Sequence, residues 1–354
     1  MAENGVMRNN SVPEAIAWQA DHARKAGAPN TARVIRALLA VIEGDTATGR
    51  RMANWHGLTL EDAMPLRVAA GLHALCMSGE EDRLGDVYAG LITDQGQVDA
   101  IVTDAVDTFD FRLMPWLDSP PQTNEAGRSA SVMGALLWLS ERLGPAFELN
   151  EIGASAGINT MLGRFAFDLG GVRVGPSLSS MTIAPEWRGA PPPAAPIEIV
   201  AARGCDQAPV DLRDEAQLMK LKAYVWPEAS ERMARLDTAA AMAERAPPEL
   251  VRQSAGEFVA ERLRANQAVG VTRVLFHTIV WQYLSEAERE AITKAMEQAG
   301  AAAGDDTPLA WVRLETNRET FRHELSVRCW PGGDEWTKLA EAHPHGEWVE
   351  WMAD

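Results

Sequence analysis

The sequence predicts an α/β fold, a mostly parallel sheet with helices on both faces over residues 122–354, preceded by an all-helical domain over residues 1–121. Three observations predict it. Residues 13 to about 140 carry apolar side chains at helical spacing, with no clear period-2 strand. Beyond residue 146, about six strand candidates appear, the early ones separated by helical stretches. Between the two halves, Glu148-Leu149-Asn150-Glu151-Ile152-Gly153-Ala154-Ser155-Ala156-Gly157-Ile158-Asn159 reads as strand, tight turn and helix. Strands alternating with helices imply a mostly parallel sheet buried on both sides.

With 354 residues, the chain is long enough for a large core and two structural units. Hydrophobic residues make up 46% and charged residues 23%, the balance of a globular protein with no membrane span expected. A formal net charge of −17 repels phosphate backbones and anionic membranes, so a small-molecule partner is expected rather than nucleic acid or a membrane. Met1 to Gly5 lacks the basic-then-apolar pattern of a secretory signal. Cys76, Cys205 and Cys329 are odd in number and far apart, which fits a reducing cytoplasm and gives no CxxC metal set. His22, His56 and His73 are scattered and read as surface or packing histidines, so no metal site is expected.

In chain order, Ser11 fits a cap and Pro13 a first helical turn, with Ile16, Ala20 and Ala23 as the buried stripe. Thr31 to Ile42, Leu66 to Met77 and Val98 to Val106 repeat the pattern. The loop Asp118-Ser119-Pro120-Pro121 leads through Gln122-Thr123-Asn124-Glu125 to a helix from about Ala126 to Leu143. Gln122, Asn124, Glu125 and Arg128 have two readings: a capping arrangement, or groups lining a pocket beside the Gly loop. Phe147 to Ile152 is the first strand, and Ile158, Met161, Leu162 and Phe165 recur at helical spacing after it. Phe167 to Val174, with Gly170-Gly171, reads as a hairpin. Residues 176–196, rich in Pro, Ser and Ala, are expected to be an irregular insertion or lid.

Strand candidates follow at Ile197 to Ala201, Val251 to Ala255, Val271 to Thr278, Leu309 to Leu314 and Glu324 to Trp330, and Glu347 to Trp351 closes the chain. Helices are expected from Ala216 to Trp226, Glu228 to Ala246, Phe258 to Ala268 and Ser285 to Ala299, the last with a capping box at Ser285 and Glu288.

Glycines at the ends of the 153–157 turn let backbone approach a ligand closely, and the following helix start aims free N–H groups there. Glu151-x-Gly153-x-Ser155-x-Gly157 stands close to the acid-x-Gly-x-Gly-x-Gly pattern of nucleotide-type cofactors. The same letters complete the nucleophile elbow Gly-x-Ser-x-Gly, with Ser155 as the attacking hydroxyl. A tight turn of small residues made only for packing is the third reading. In open α/β sheets, ligands sit at the carboxyl ends of the strands. The residues expected there are Glu151, Asp206, Glu257, His277, Thr278 and Glu315.

Four segments together resemble a bacterial family of uncharacterised proteins whose core looks like a class I S-adenosylmethionine-dependent methyltransferase. They are Gln122-Thr123-Asn124-Glu125-x-x-Arg128, Glu151-x-Gly153-x-Ser155-Ala156-Gly157-x-Asn159, Arg203-Gly204-Cys205-Asp206 and Phe276-His277-Thr278-x-x-Trp281-Gln282-Tyr283-Leu284. The resemblance covers nearly the whole chain and implies a Rossmann-like methyltransferase-type sheet. It places the methionine end of S-adenosylmethionine near Glu151 and Gly153, its ribose near Asp206 and its adenine near Glu257, with Ser155, Gly157 and Asn159 also cofactor-binding. Ser155 stands where the motif has its middle glycine.

The reaction so implied is in-line methyl transfer to a small acceptor, with the protein positioning the acceptor and removing its proton. His277 is the candidate base. Tyr283 and Trp281 frame the acceptor, and Thr278, Gln122, Asn124, Glu125 and Arg128 face the same cleft. Two rival readings stand beside it. One is a serine hydrolase, with Ser155, Asp306 and either His323 or His345 in chain order. The other is a ligand-binding protein that kept the fold without the chemistry.

Overall fold

The computed structural model describes residues 11–57, 62–333 and 335–353. Its first elements are helices: Val12–Lys25, Pro29–Glu43, Ala47–Ala53, Met64–Met77, Asp82–Tyr88, Gln95–Thr108 and Asp110–Leu113, then a 3-10 turn at Met114–Asp118. Ser11 caps the first, its hydroxyl accepting the Glu14 N–H at 3.4 Å. The second helix starts after Ala28, which has no capping side chain. Glu228 supplies the acceptors instead, taking the Asn30 N–H at 2.8 Å, the Thr31 N–H at 2.9 Å and the Thr31 hydroxyl at 2.6 Å. The apolar stripes converge on a core that includes Ile35, Leu38, Met64, Leu72, Leu84 and Val102. No helix among the described residues is long and apolar enough to cross a membrane.

The chain divides into two compact units. One takes the described residues up to Thr123 with Glu215–Ala234, and the other takes Asn124–Asp214 with the residues from Arg235 onward.

Among its described residues the second unit holds twelve strands: β1 Ala146–Ile152, β2 Ala166–Leu169, β3 Val172–Val174, β4 Thr182–Ile183, β5 Glu186–Arg188, β6 Glu198–Asp206, β7 Glu249–Arg252, β8 Val271–Thr278, β9 Leu309–Thr316, β10 His323–Trp330, β11 Thr337–Ala342 and β12 Trp348–Trp351. Nine form one sheet in the order β5-β12-β11-β10-β9-β8-β1-β6-β7, and β3-β2-β4 form a small second sheet. From β7 to β9 all pairings are parallel, and β9 to β12 is an antiparallel meander. Seven successive residues of β8, Thr272 to Thr278, are buried, so this strand is covered on both faces. The helices Ala255–Arg264 and Glu286–Ala302 pack Phe258, Val259, Ile292 and Met296 against Leu275, Trp311 and Trp330. The helix Ser129–Leu143, buried over its first three turns, packs on β9, β10 and β11.

Three expectations change. The turn after β1 leads not to an α-helix but to a 3-10 helix, Asn159–Arg164, because β2 begins at Ala166 and leaves too few residues for a stable α-helix. Residues 176–196 are not wholly irregular. β5 joins the edge of the large sheet, the Glu186 N–H donates to the Glu347 carbonyl at 2.9 Å, and Trp187 packs on Trp351. β11 has no counterpart among the strand candidates. Its Lys, Ala and Glu residues have low strand preference, and pairing with β10 and β12 makes it a strand.

Candidate functional site

β1 has β6 on one side and β8 on the other, so the crossovers leave it in opposite directions. Such a reversal places the Gly153–Gly157 loop at the carboxyl-end crevice of an open sheet. The loop is held by backbone pairs. Ala154 N–H donates to the Cys205 carbonyl at 2.9 Å, Gly157 N–H to the Ala154 carbonyl at 2.7 Å, and Val210 N–H to the Ser155 carbonyl at 3.1 Å. Asp206, at the end of β6, fastens it: Oδ2 accepts the Ser155 N–H at 2.9 Å and Oδ1 the Ala208 N–H at 2.8 Å. Asn124 accepts the Ile158 N–H at 2.8 Å.

The two glycines have steric reasons inside the protein. Both have left-handed φ, 65° at Gly153 and 71° at Gly157. A Cβ on Gly153 would lie 2.5 Å from both methyls of Val280, and one on Gly157 would lie 2.9 Å from Pro248 and Leu250. Ser155 also has a left-handed φ of 52°, a conformation costly for a residue with a Cβ.

Around this loop are polar atoms without partners. Among the described residues, Glu151 Oε2, Ser155 Oγ and both amide atoms of Asn159 are buried and make no hydrogen bond. Glu151 is 1% exposed. Burial pushes its pKa well above the ordinary carboxylate range, opposed by Asn159, Arg128 and the Thr160 backbone and reinforced by Asp206. The cluster therefore offers a carboxyl, a hydroxyl and an amide to whatever lies against them. Nearby, Arg128 is buried and fixed: Nε donates to the Pro344 carbonyl at 2.7 Å and Nη1 to the Thr278 carbonyl at 3.2 Å.

At the end of β8, His277 is enclosed. Trp311 Nε1 donates to His277 Nε2 at 3.0 Å, so Nδ1 carries the proton and donates to Glu315 Oε1 at 2.6 Å. The same Glu315 oxygen accepts the N–H groups of Val280 at 2.9 Å and Trp281 at 3.2 Å. Trp281 stacks on the imidazole, ring centroids 5.2 Å apart. In this arrangement both ring nitrogens are engaged and no lone pair faces outward. Ile279, at φ 58°, makes the sharp turn that brings Val280 back over Gly153.

Of the residues expected to share a site, Glu151, Gly153, Ser155, Gly157, Asn159, Asp206 and Asn124 gather around the β1 loop. Arg128 and Thr278 touch each other beside it. Glu125 is buried, accepting the Gly127 N–H at 3.2 Å and pairing with Arg235 at 3.3 Å. Glu257 is exposed in the first turn of helix Ala255–Arg264, where its N–H donates to the Ser254 hydroxyl at 3.4 Å and its carboxylate accepts from that hydroxyl at 2.8 Å. Tyr283 is exposed on a 3-10 turn. Gln122 belongs to the other compact unit.

Ser155 sits at the carboxyl end of β1. Asp306 lies at the opposite end of the strands, its carbonyl accepting the Gly270 N–H just before β8. The triad order read in the sequence is thus not assembled in space. Val280 and Trp311 escaped the sequence reading. Nothing in the local pattern marks a valine that covers a glycine or a tryptophan that sets a histidine tautomer.

The family model for uncharacterised proteins conserved in bacteria (DUF2332) matches residues 13–351, and the chain belongs to that family. No curated protein and no solved structure matches the chain.

Proposed function

We propose that this DUF2332 protein is an S-adenosylmethionine-dependent methyltransferase acting on a small acceptor, with a Rossmann-like methyltransferase-type domain following a helical N-terminal domain. The observation that carries the reading is the buried, unpartnered set of Glu151 Oε2, Ser155 Oγ and Asn159 at the point where the strand order reverses. A buried carboxyl oxygen with no partner costs free energy unless a ligand completes it.

The residues fit such a ligand by charge. A sulfonium and an ammonium beside Glu151 would favour its ionised form and offset the burial that holds its proton. Asp206 uses one lone pair on each oxygen for backbone N–H groups and keeps others for ribose hydroxyls. Val280 fills the space over Gly153, so a ligand would have to meet the loop on its Ser155 and Asn159 side. The bound cofactor would supply an electrophilic methyl group. His277 becomes a base only when Trp311 releases its Nε2.

Calorimetric titration with S-adenosylmethionine, and separately with its demethylated product, tests the proposal. Saturable binding that releases a proton and weakens at least about tenfold in Asp206→Ala is expected, since each lost charged hydrogen bond is worth about 1.5–3 kcal/mol. Binding to neither ligand overturns it. The engagement of both His277 nitrogens favours a second reading, ligand binding without turnover. Saturable binding with no methyl transfer across an acceptor screen would select that reading.

A further inference from the structure

The turn between β11 and β12 reads His343-Pro344-His345-Gly346-Glu347. We propose that it is a divalent metal site of the zinc type, held by His343, His345 and Glu347, with water completing the shell. It is independent of the cofactor reading. One ligand atom from each side chain can be chosen so that all lie within 4.8 Å of one another. The rings of His343 and His345 meet edge to face with centroids 5.4 Å apart.

The charge arrangement asks for a cation. His343 Nδ1 accepts the His345 N–H at 3.3 Å, so it carries no proton, and a metal would take over the lone pair that this N–H now engages. Glu347 Oε1 lies 3.6 Å from that same Nδ1. Metal bonds of about 2.0–2.2 Å in a tetrahedron put neighbouring ligand atoms about 3.4 Å apart. Two imidazoles and one carboxylate are the donor set of open zinc sites, which leave a fourth position for water.

The backbone is already shaped for this. His343 N–H donates to the Trp348 carbonyl at 2.9 Å and Gly346 N–H to the His343 carbonyl at 2.9 Å. Gly346 has a left-handed φ of 74°, and a Cβ there would lie 2.3 Å from the Gly127 backbone. The turn is thus seated on the start of the 126–143 helical segment, and Arg128 clamps its Pro344 carbonyl at 2.7 Å. A preformed turn lowers the ordering cost of binding. Glu347 is 64% exposed at its side chain, so an ion can enter from solvent and the carboxylate can swing to it.

Calorimetric titration of the chelator-treated full-length protein with zinc chloride tests the site, with cobalt(II) as a spectroscopic substitute. The expected result is one ion per chain, a cobalt spectrum of nitrogen and oxygen ligation, and affinity reduced at least about tenfold in Glu347→Gln and in His345→Ala. Glu347→Gln alters only an exposed side chain, so its fold is expected to be intact, and the zinc-induced rise in melting temperature should be lost with the affinity. No binding by the unaltered chain, or binding that both variants keep, overturns the site.

Discussion

At the residue scale, Glu151 concentrates the tension in this molecule. Its carboxyl is enclosed, its Oε2 has no partner, and burial holds its pKa well above the usual range. The sign of the stability effect follows from linkage. Below the unfolded pKa of about 4.3, both states are protonated and the contribution is fully present. As pH rises, the unfolded chain ionises while the folded one keeps its proton, so stability is lost up to the raised folded pKa. Glu151→Gln removes that loss. Its advantage over the unaltered protein in urea unfolding should be small near pH 4 and grow by about 1.4 kcal/mol per pH unit across the window. A difference that stays constant with pH would mean that Glu151 is ionised in the folded protein. Ser155 adds a second tension, a residue with a Cβ held at φ 52° with its hydroxyl unpartnered.

At the scale of elements, the ends of β1, β8 and β9 are fastened by one carboxylate. Glu315 Oε1 receives His277, Val280 and Trp281, and through Val280 it keeps the β8 turn against Gly153. Glu315→Ala leaves these donors without their acceptor and should cost about 3 kcal/mol. The damage should be local. Hydrogen exchange at the Val280 and Trp281 amides should accelerate by far more than at Leu275 in the middle of β8. Equal acceleration at all three would show that Glu315 supports the sheet generally rather than this turn.

At the scale of the whole molecule, the parallel strands carry a buried ionic cluster at the far end from the Gly loop. Glu148 of β1 accepts from Arg262 at 2.9 Å and Arg273 at 3.1 Å. Elsewhere the chain is strongly acidic, with a net charge of −17. Self-repulsion opposes compactness and is screened by salt, over about 8 Å at 0.15 M. The melting temperature should therefore rise between low ionic strength and 0.15 M sodium chloride. A fall would mean that favourable ion pairs such as those of Glu148 outweigh the net repulsion.

The sequence by itself determined the helical stripes before residue 118, the strands β1, β6, β8, β9 and β10, and the composition of the Gly153–Gly157 turn. These are local properties: apolar spacing, caps such as Ser11 and Ser285, and glycines at left-handed positions. Only the tertiary structure decided what each residue does there. Asp206 spends a lone pair of each oxygen on backbone groups, Val280 occupies the space that Gly153 leaves, and His277 is locked between Trp311 and Glu315. β11 became a strand through its neighbours, and His343, His345 and Glu347 met because a β-turn folded them together. Periodicity reports the environment of a segment along its own axis. Partners between 34 and 51 residues away, as for Glu315 and Asp206, are set by strand order, which no local pattern encodes.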